Sequence, residues 1–381
     1  MKSLIIRICI MTSLIISMII SFSMQCSYIN KSNSLPDGIE LSSNYDIGLS
    51  FVDCQNDKIQ QAKASGIIIQ DGFVSTYLSS YPEQVELALT NDTYDDIMNL
   101  NLRYGNYFKM NPLAELNRVI VISEQLAFKL YHTYDAVGKT VIINDVEYTV
   151  CGVYLANQSL LSRLSSSNKE RIYIPYMNIP EFDKLPIKQL YIKNEESKFI
   201  QGMIQSVESP NNKTIMYDSV TDYRNIKKLI KQALHISIFT LGLNILAFIC
   251  YVLIKKAKLS YNQYRLTDDK KNLFINCGIC LGYVLGMIII FIVIKFQFFI
   301  PTTMLPTDNI FDFKFYLDEI IHLVQQKNSL LIYDYHWKYS LLLIVSSFIN
   351  GIVFTILSTI TWWYGVYLVK KMVDRFEFAP R

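Results

Sequence analysis

Acidic residues are missing from the interior of every long apolar segment in this chain of 381 residues. Charged residues of both signs make up only 18% of the sequence, whereas apolar residues make up 51%. Carriers that couple transport to protons or ions need titratable groups inside their membrane-spanning helices. The missing carboxylates therefore argue against a secondary transporter and against an ion pathway.

Patterns for metal ligation and for a disulfide framework are also missing. The four histidines lie far apart and lack ligand spacing, so no metal site is predicted: His132, His235, His322 and His336. Four of the seven cysteines lie in apolar segments, where they pack as small apolar residues: Cys9, Cys250, Cys277 and Cys280. A pairing of Cys54 with Cys151 stays open, although the strand-like alternation around Cys151 favours two separate thiols.

The chain has instead four apolar runs of membrane-spanning length, at residues 4–24, 234–254, 273–294 and 340–369. A helix needs about 20 apolar residues to cross a hydrocarbon core of about 30 Å. The first run predicts an uncleaved transmembrane helix over residues 1–25. A cleaved signal peptide is the alternative, because Ser21 and Ser23 form a small-x-small pattern.

Lysine and arginine are concentrated beside these runs, six of them between residues 255 and 271. Both termini are basic as well, so the positive-inside rule places both termini and the 255–271 segment in the cytoplasm. Residues 26–231 then form an extracytoplasmic domain between helices 1 and 2, and residues 232–381 form a region with the other three helices. The net charge of the chain is only +3, and its basic residues are concentrated where they would set the membrane topology. No nucleic-acid partner is therefore predicted.

The 26–231 region shows the patterns of a mixed α+β domain. A strand is predicted at 119–122, followed by a helix that Ser123 caps. Strands at 141–143 and 146–150 flank Asn144 and Asp145, a turn pair typical of a β-hairpin. Further strands are predicted at 66–69, 73–78, 172–175, 190–192 and 214–217, and an amphipathic helix at 197–207. The fold class is therefore a membrane protein with four transmembrane helices and a large extracytoplasmic α+β domain.

Several of these segments resemble one known family. The runs VIVISEQLA at 119–127, AVGKTVII at 136–143 and EYTVCGVY at 147–154 are similar, in order and spacing, to the signature of the MacB-like periplasmic core domain. IYIP at 172–175 and LYIK at 190–193 resemble later strands of that domain. The sequence departs from the family at 104–108, where YGNYF replaces the usual Gly-Arg before an aromatic residue.

The resemblance implies the permease half of an ABC transporter of the MacB/FtsX type, with an FtsX-like transmembrane region. The resemblance implies that such a permease hydrolyses no ATP itself, because a separate ABC ATPase subunit does so. ATP-driven closing of the dimer then moves the outer domains. The segment Gly138-Lys139-Thr140 superficially resembles the end of a phosphate-binding loop, but Thr133 stands where the first glycine is needed and a strand follows. No directly bound cofactor is therefore predicted.

Permeases of this type carry a short coupling helix between the second and third spans, which contacts the ATPase. The corresponding positions here, called the coupling segment, are Tyr261, Tyr264, Arg265, Leu266, Lys270 and Lys271. Asp268 and Asp269 replace the small residues that the family places near the end of this helix. A solvated basic loop that only fixes topology is the alternative interpretation.

Small residues recur every fourth position in the third run, at Gly278, Gly282 and Gly286, so a neighbouring helix can approach this face closely. The contact is predicted either within one chain or with a second permease copy. Asn244, Asn276 and Asn350 place one amide in each of the last three runs, where an amide seeks a partner on another helix.

The leading hypothesis is a multi-pass cell-membrane permease that transmits ATPase motion to its outer domain, for export or extraction of a peptide, toxin or lipid-linked substrate. Its expected partners are the ATPase, a second permease and membrane lipid. The alternative is a non-transporting regulator, whose outer domain activates or senses an extracytoplasmic partner. No site for a membrane-anchored enzyme is recognisable.

Overall fold

A computed structural model describes residues 2–54, 63–77, 82–109, 118–156, 159–165, 169–179, 181, 184–193, 199–267, 274, 278, 281–286, 288, 309, 312–329 and 335–377. The chain divides into two compact units. The sheet unit contains Lys31–Lys227 and Pro301–Leu343. The helical unit contains Met1–Asn30, Lys228–Ile300 and Ile344–Arg381.

The strands found in the described part of the chain are β1 Gly38–Ser42, β2 Ala64–Ser75, β3 Glu83–Thr90, β4 Leu102–Gly105, β5 Val119–Ser123, β6 Thr140–Ile143, β7 Val146–Tyr154, β8 Glu170–Pro175, β9 Gln189–Lys193 and β10 Ser219–Asp222. The helices are α1 Lys2–Ser32, α2 Phe51–Cys54, α3 Thr93–Met98, α4 Glu124–Tyr131, α5 Leu160–Ser165, α6 Ile200–Asn211, α7 Tyr223–Thr267, α8 Phe313–Ser329 and α9 Tyr335–Glu377. A short 3-10 helix, Tyr176–Asn178, follows β8.

One mixed sheet organises the sheet unit, in the order β10-β1-β9-β2-β3-β8-β5-β7-β4, with β6 pairing β2 and β7. The pairs β3–β8 and β5–β7 are parallel, and the other described pairs are antiparallel. The long strand β2 joins the two parts of the sheet, because its first residues pair with β9 and its later residues with β3 and β6. The predicted mixed α+β fold of this region is confirmed.

Local signals in the middle of the unit act as predicted. The side chain of Ser123 accepts a hydrogen bond of 3.1 Å from the backbone N–H of Leu126 and so caps α4. Asn144 and Asp145 have φ values of 48° and 63°, and β6 and β7 form the hairpin around them. The glycine of the divergent 104–108 loop, Gly105, has φ of +67°, and a Cβ there would lie 2.1 Å from the carbonyl oxygen of Cys151.

Three predictions of secondary structure in this region differ from the structure. The strands at 66–69 and 73–78 are one continuous strand, β2, and the helix predicted at 197–207 is α6, Ile200–Asn211. Residues 214–217 are not a strand, since the N–H of Ile215 donates to the Glu208 carboxylate at 2.8 Å and that of Met216 to the carbonyl of Ile47 at 2.9 Å. These partners satisfy the backbone without a regular ladder, and β10 begins two residues later.

The two cysteines of the sheet unit are free thiols, as the sequence favoured. Cys54 is buried in the core, and this burial raises its pKa to about 12. The Cys151 thiol donates to the carbonyl of Ile120 at 3.3 Å, and burial raises its pKa to about 11. Both thiols therefore remain protonated and unreactive at neutral pH.

Three helices are long and apolar enough to cross a membrane in the part of the chain that the structure describes, at Ile6–Ser32, Tyr223–Lys255 and Tyr335–Leu368. The full helices α1, α7 and α9, to which these spans belong, contain the runs predicted at 4–24, 234–254 and 340–369 and extend beyond them, and the apolar faces of the spans are largely exposed. Of the run predicted at 273–294, residues 274, 278, 281–286 and 288 are described, all of them helical, and the others lie outside the described residues. The four-span topology stays a prediction.

Candidate functional site

The coupling segment begins on the last turns of α7. Tyr261, Tyr264, Arg265 and Leu266 lie in this helix, which ends at Thr267. Lys270 and Lys271, like Asp268 and Asp269, lie outside the described residues. The segment is thus helical in its first half, as a coupling helix requires, and its contact with an ATPase stays a prediction.

The glycine face of the third run carries no close neighbour among the described residues. A Cβ at Gly278, Gly282 or Gly286 would meet no described atom within 4 Å. Gly278 and Gly282 are exposed. The choice between an internal contact and a contact with a second permease copy remains open.

A buried polar cluster joins α1 to α9 within the helical unit. The amide nitrogen of Asn350 donates at 2.8 Å both to the Ser21 carbonyl and to the Gln25 side-chain oxygen. The Ser21 hydroxyl donates to the Asn350 side-chain oxygen at 3.0 Å, and the Gln25 amide donates to the Ser347 hydroxyl at 2.7 Å. All four residues are buried, so this interhelical amide cluster fixes the register of the two helices.

A second set of contacts joins α7 to α9. The Asn244 amide donates to the Ser358 hydroxyl at 2.9 Å, and Gly351 lies against Ala233 and Ser237 without a side chain between them. The prediction that Asn244 and Asn350 find partners on other helices is confirmed, while Asn276 lies outside the described residues. The sequence analysis considered Ser21 only as part of a cleavage pattern and predicted no packing role for Ser21, Gln25 or Gly351, although a polar or small residue in or next to an apolar run was a usable signal.

The first turns of α7 are held to strand β1 and to the residue before it by two contacts inside the sheet unit. The Tyr223 hydroxyl donates to the fully buried Glu40 carboxylate on β1 at 2.5 Å, and the Ser42 hydroxyl donates to the same carboxylate at 2.6 Å. One turn further along α7, Lys227 forms an ion pair with Asp37. We call this set the α7 anchor. The sequence analysis did not predict a role for its acidic members, Glu40 and Asp37, because they lie outside the apolar runs and the family-like runs.

The Lys227–Asp37 contact predicts a pH dependence. Burial alone would raise the pKa of Asp37, but hydrogen bonds from Lys227 and Asn99 together lower that pKa below its ordinary value. A lowered folded-state pKa means that the contact stabilises the chain at neutral pH and that this contribution is lost as the pH falls below about 4. We expect Asp37→Asn to flatten the acid side of the stability curve, measured by thermal unfolding of the detergent-solubilised chain between pH 3 and 7. Glu181→Gln, in an exposed pair with Lys184, should leave the curve unchanged.

A cavity of about 400 Å³ lies in the sheet unit. Its wall combines strands β3, β7 and β8 with the first five residues of α9, which contribute Tyr335, His336 and Tyr339. At its base Arg171 pairs with Glu86 at 2.9 Å, and only 12% and 9% of their side chains are exposed. Burial alone would lower the pKa of Arg171, but Tyr173, Tyr94 and Glu86 raise it overall, so the guanidinium stays charged.

Hydroxyl groups surround this ion pair. The Tyr154 hydroxyl donates to the Arg171 carbonyl at 3.0 Å, and the Tyr335 and Ser162 hydroxyls lie 2.8 Å apart. Burial raises the pKa of Tyr154 well above its ordinary value, so the phenol stays protonated. No group of three or more His, Cys, Asp or Glu side chains that could hold a metal ion occurs among the described residues.

One family model and two solved structures are similar to this chain. The family model of the MacB-like periplasmic core domain matches residues 11–216, more than half of the chain. The periplasmic region of MacB from Actinobacillus actinomycetemcomitans is a similar solved structure, with 18% identity, a TM-score of 0.36, and 52% of this chain and 95% of that chain covered. The extracellular domain of the noncanonic ABC-type transporter YknZ from Gram-positive bacteria has 15% identity and a TM-score of 0.34, with 47% and 98% covered. No curated protein matches the chain.

Proposed function

Since this chain belongs to the MacB-like periplasmic core domain family and is an ABC-transporter permease of that type, we propose that it couples ATP hydrolysis by a separate ATPase subunit to motion of its outer domain. The ATP is bound and hydrolysed by that partner, and this chain binds no cofactor itself. The work done outside is export or extraction of a peptide, toxin or lipid-linked substrate.

One observation carries the proposal. The single helix α7, Tyr223–Thr267, holds both the anchor residues Tyr223 and Lys227 and, in its last turns, the first four residues of the coupling segment. A displacement that the ATPase imposes at one end of such a helix would act on Glu40 and Asp37 at the other. The buried Tyr223–Glu40 contact supports this role, because it fastens the helix to the sheet.

We propose the following membrane topology for the chain. Residues 1–25 form transmembrane helix 1, residues 26–231 the extracytoplasmic core domain, and residues 232–381 the FtsX-like region with helices at 234–254, 273–294 and 340–369. Both termini lie in the cytoplasm, and the chain is a multi-pass protein of the cell membrane. It works as a dimer with a second permease copy or homologue, surrounded by lipid.

A second candidate function rests on Asp268 and Asp269 in the coupling segment. Two carboxylates in place of small residues would alter the surface offered to an ATPase. In that case the chain is a non-transporting regulator, whose outer domain activates or senses an extracytoplasmic partner. The external partner would then stay bound whatever the nucleotide state.

Charge reversal of the coupling segment tests the leading proposal. We expect Lys270→Glu combined with Lys271→Glu to lower the amount of a separate ATP-binding protein that copurifies with the tagged full chain by about tenfold or more, because like charges across an interface cost several kcal/mol. Lys109→Glu combined with Lys184→Glu, two exposed positions of the sheet unit, is the matched control and should copurify normally.

The outcomes separate the two candidates. Copurification of an ATP-binding protein with the wild type and its loss in the double variant support the permease. If the wild type retains no ATP-binding protein but holds an external partner with and without nucleotide, the regulator is favoured. If the double variant retains the ATPase fully, the coupling segment is wrongly placed.

A further inference from the structure

From the chemistry of the cavity wall in the sheet unit, we infer that the cavity is a binding site for a neutral, hydroxyl-rich ligand, namely a mono- or disaccharide. The volume of about 400 Å³ falls within the range of about 300–1,000 Å³ that is usual for small-molecule sites. The inference is independent of ATPase coupling, since it concerns recognition by the outer domain alone.

One wall residue has hydrogen-bonding capacity that the described part of the protein leaves unused. Both ring nitrogens of His336 are buried, and neither has a hydrogen-bond partner among the described residues. A neutral imidazole offers one donor and one acceptor. Leaving both unpaired away from water costs free energy, which a ligand hydroxyl that donates and accepts would recover.

The charged side chains of the wall are already engaged in ion pairs or hydrogen bonds, which disfavours a charged ligand. Arg171 pairs with Glu86 at 2.9 Å, and Lys169 pairs with Asp71 at 2.7 Å. The Glu170 carboxylate accepts a hydrogen bond from the Ser123 hydroxyl at 2.5 Å. Arg163, the remaining charged residue of the wall, also has an interaction partner. An anion or a cation would have to break one of these contacts, whereas a neutral molecule would not.

The rest of the wall suits hydroxyl groups. Most of its other polar side chains are neutral groups that both donate and accept, among them Ser34, Asn99, Asn101, Gln125 and Ser162. The tyrosines Tyr154, Tyr173 and Tyr339 add ring surface with a polar tip. Flat apolar faces combined with donor–acceptor groups fit the two aspects of a sugar ring, its C–H faces and its hydroxyl edge.

The cavity lies next to the start of a predicted membrane span. Tyr335, His336 and Tyr339 are among the first five residues of α9, directly before the predicted span at 340–369. A ligand that engages His336 therefore contacts the start of a membrane helix.

The test is saturation-transfer NMR on the full chain, solubilised in an amine-oxide detergent so that no detergent sugar competes. The probes are glucose, galactose, mannose, N-acetylglucosamine, maltose and chitobiose, with the tripeptide Ala-Ala-Ala as the peptide probe. We expect at least one sugar to bind and the tripeptide not to bind.

Three variants locate the binding. His336→Phe keeps a ring but removes both nitrogens, so affinity should fall about tenfold, as the loss of one or two buried hydrogen bonds predicts. Ala156→Trp fills the cavity from its wall and should abolish binding. His322→Phe, at an exposed histidine of α8, is the matched control and should bind normally. Thermal unfolding identifies any variant that does not fold, and Gln125→Leu then replaces it.

The site is refuted if no sugar gives more transfer than it gives with Ala156→Trp. The sugar class is refuted if the tripeptide binds and no sugar does. Equal affinity in folded His336→Phe and wild type would place the ligand elsewhere.

Discussion

Arg171→Met should destabilise the chain by about 3–5 kcal/mol. The variant removes the guanidinium and leaves the Glu86 carboxylate, only 9% exposed, without its opposite charge. Burying a carboxylate without an opposite charge is costly, and methionine supplies none of the donors that Arg171 gives to Glu86 at 2.9 and 3.1 Å. Thermal unfolding of the detergent-solubilised full chain, followed by circular dichroism, measures the loss.

A double variant distinguishes the loss of the arginine's charge from the loss of its packing. Arg171→Met combined with Glu86→Leu removes both charges and should recover most of the lost stability, since apolar side chains often replace a buried ion pair without penalty. Lys184→Met breaks an exposed ion pair with Glu181 and should cost at most about 1 kcal/mol. A double variant as unstable as Arg171→Met would show that the arginine acts through packing and not through charge.

Asn350→Leu should destabilise the packing of α1 against α9 by about 1–3 kcal/mol. Interhelical hydrogen bonds within membranes contribute about 0.6 kcal/mol on average and up to about 1.7, and this amide makes three with Ser21 and Gln25. Leucine keeps the approximate volume but leaves the Gln25 side-chain oxygen without its donor. Unfolding of the detergent-solubilised chain in increasing denaturing detergent measures the change.

Asn244→Leu is the matched control for this prediction. It loses one amide bond, to Ser358, and should cost about a third as much as Asn350→Leu. A larger loss at Asn244 than at Asn350 would contradict the assignment of the amide cluster as the main polar contact of the helical unit.

Short-range signals in the sequence predicted much of the sheet unit. Ser123 predicted the start of α4 because an N-cap acts over three residues, and Asn144-Asp145 predicted a hairpin because its turn needs positive φ at adjacent positions. The resemblance in the runs at 119–154 predicted the family. The strand predicted at 214–217 was wrong, because β-branched and aromatic residues such as Thr214, Ile215 and Tyr217 are typical of strands, whereas the Glu208 carboxylate and the Ile47 carbonyl satisfy the backbone here.

Long-range pairings were beyond the sequence. Glu40 lies 183 positions from Tyr223, and Glu86 lies 85 positions from Arg171, so no periodicity marks these pairs. The same holds for the cavity, whose wall draws on segments from Ser34 to Tyr339. The amides at Asn244 and Asn350 were the exception, because a polar side chain in an apolar run predicts a partner even when it does not identify one.

Labelling with a membrane-impermeant maleimide tests most directly whether the core domain and the coupling segment lie on opposite sides of the membrane. The seven native cysteines are replaced by alanine, and single cysteines are introduced at Tyr45→Cys, which is 82% exposed in the sheet unit, or at Lys271→Cys. We predict that intact cells label Tyr45→Cys at once and label Lys271→Cys only after permeabilisation. Labelling of Lys271→Cys but not Tyr45→Cys in intact cells would contradict the account.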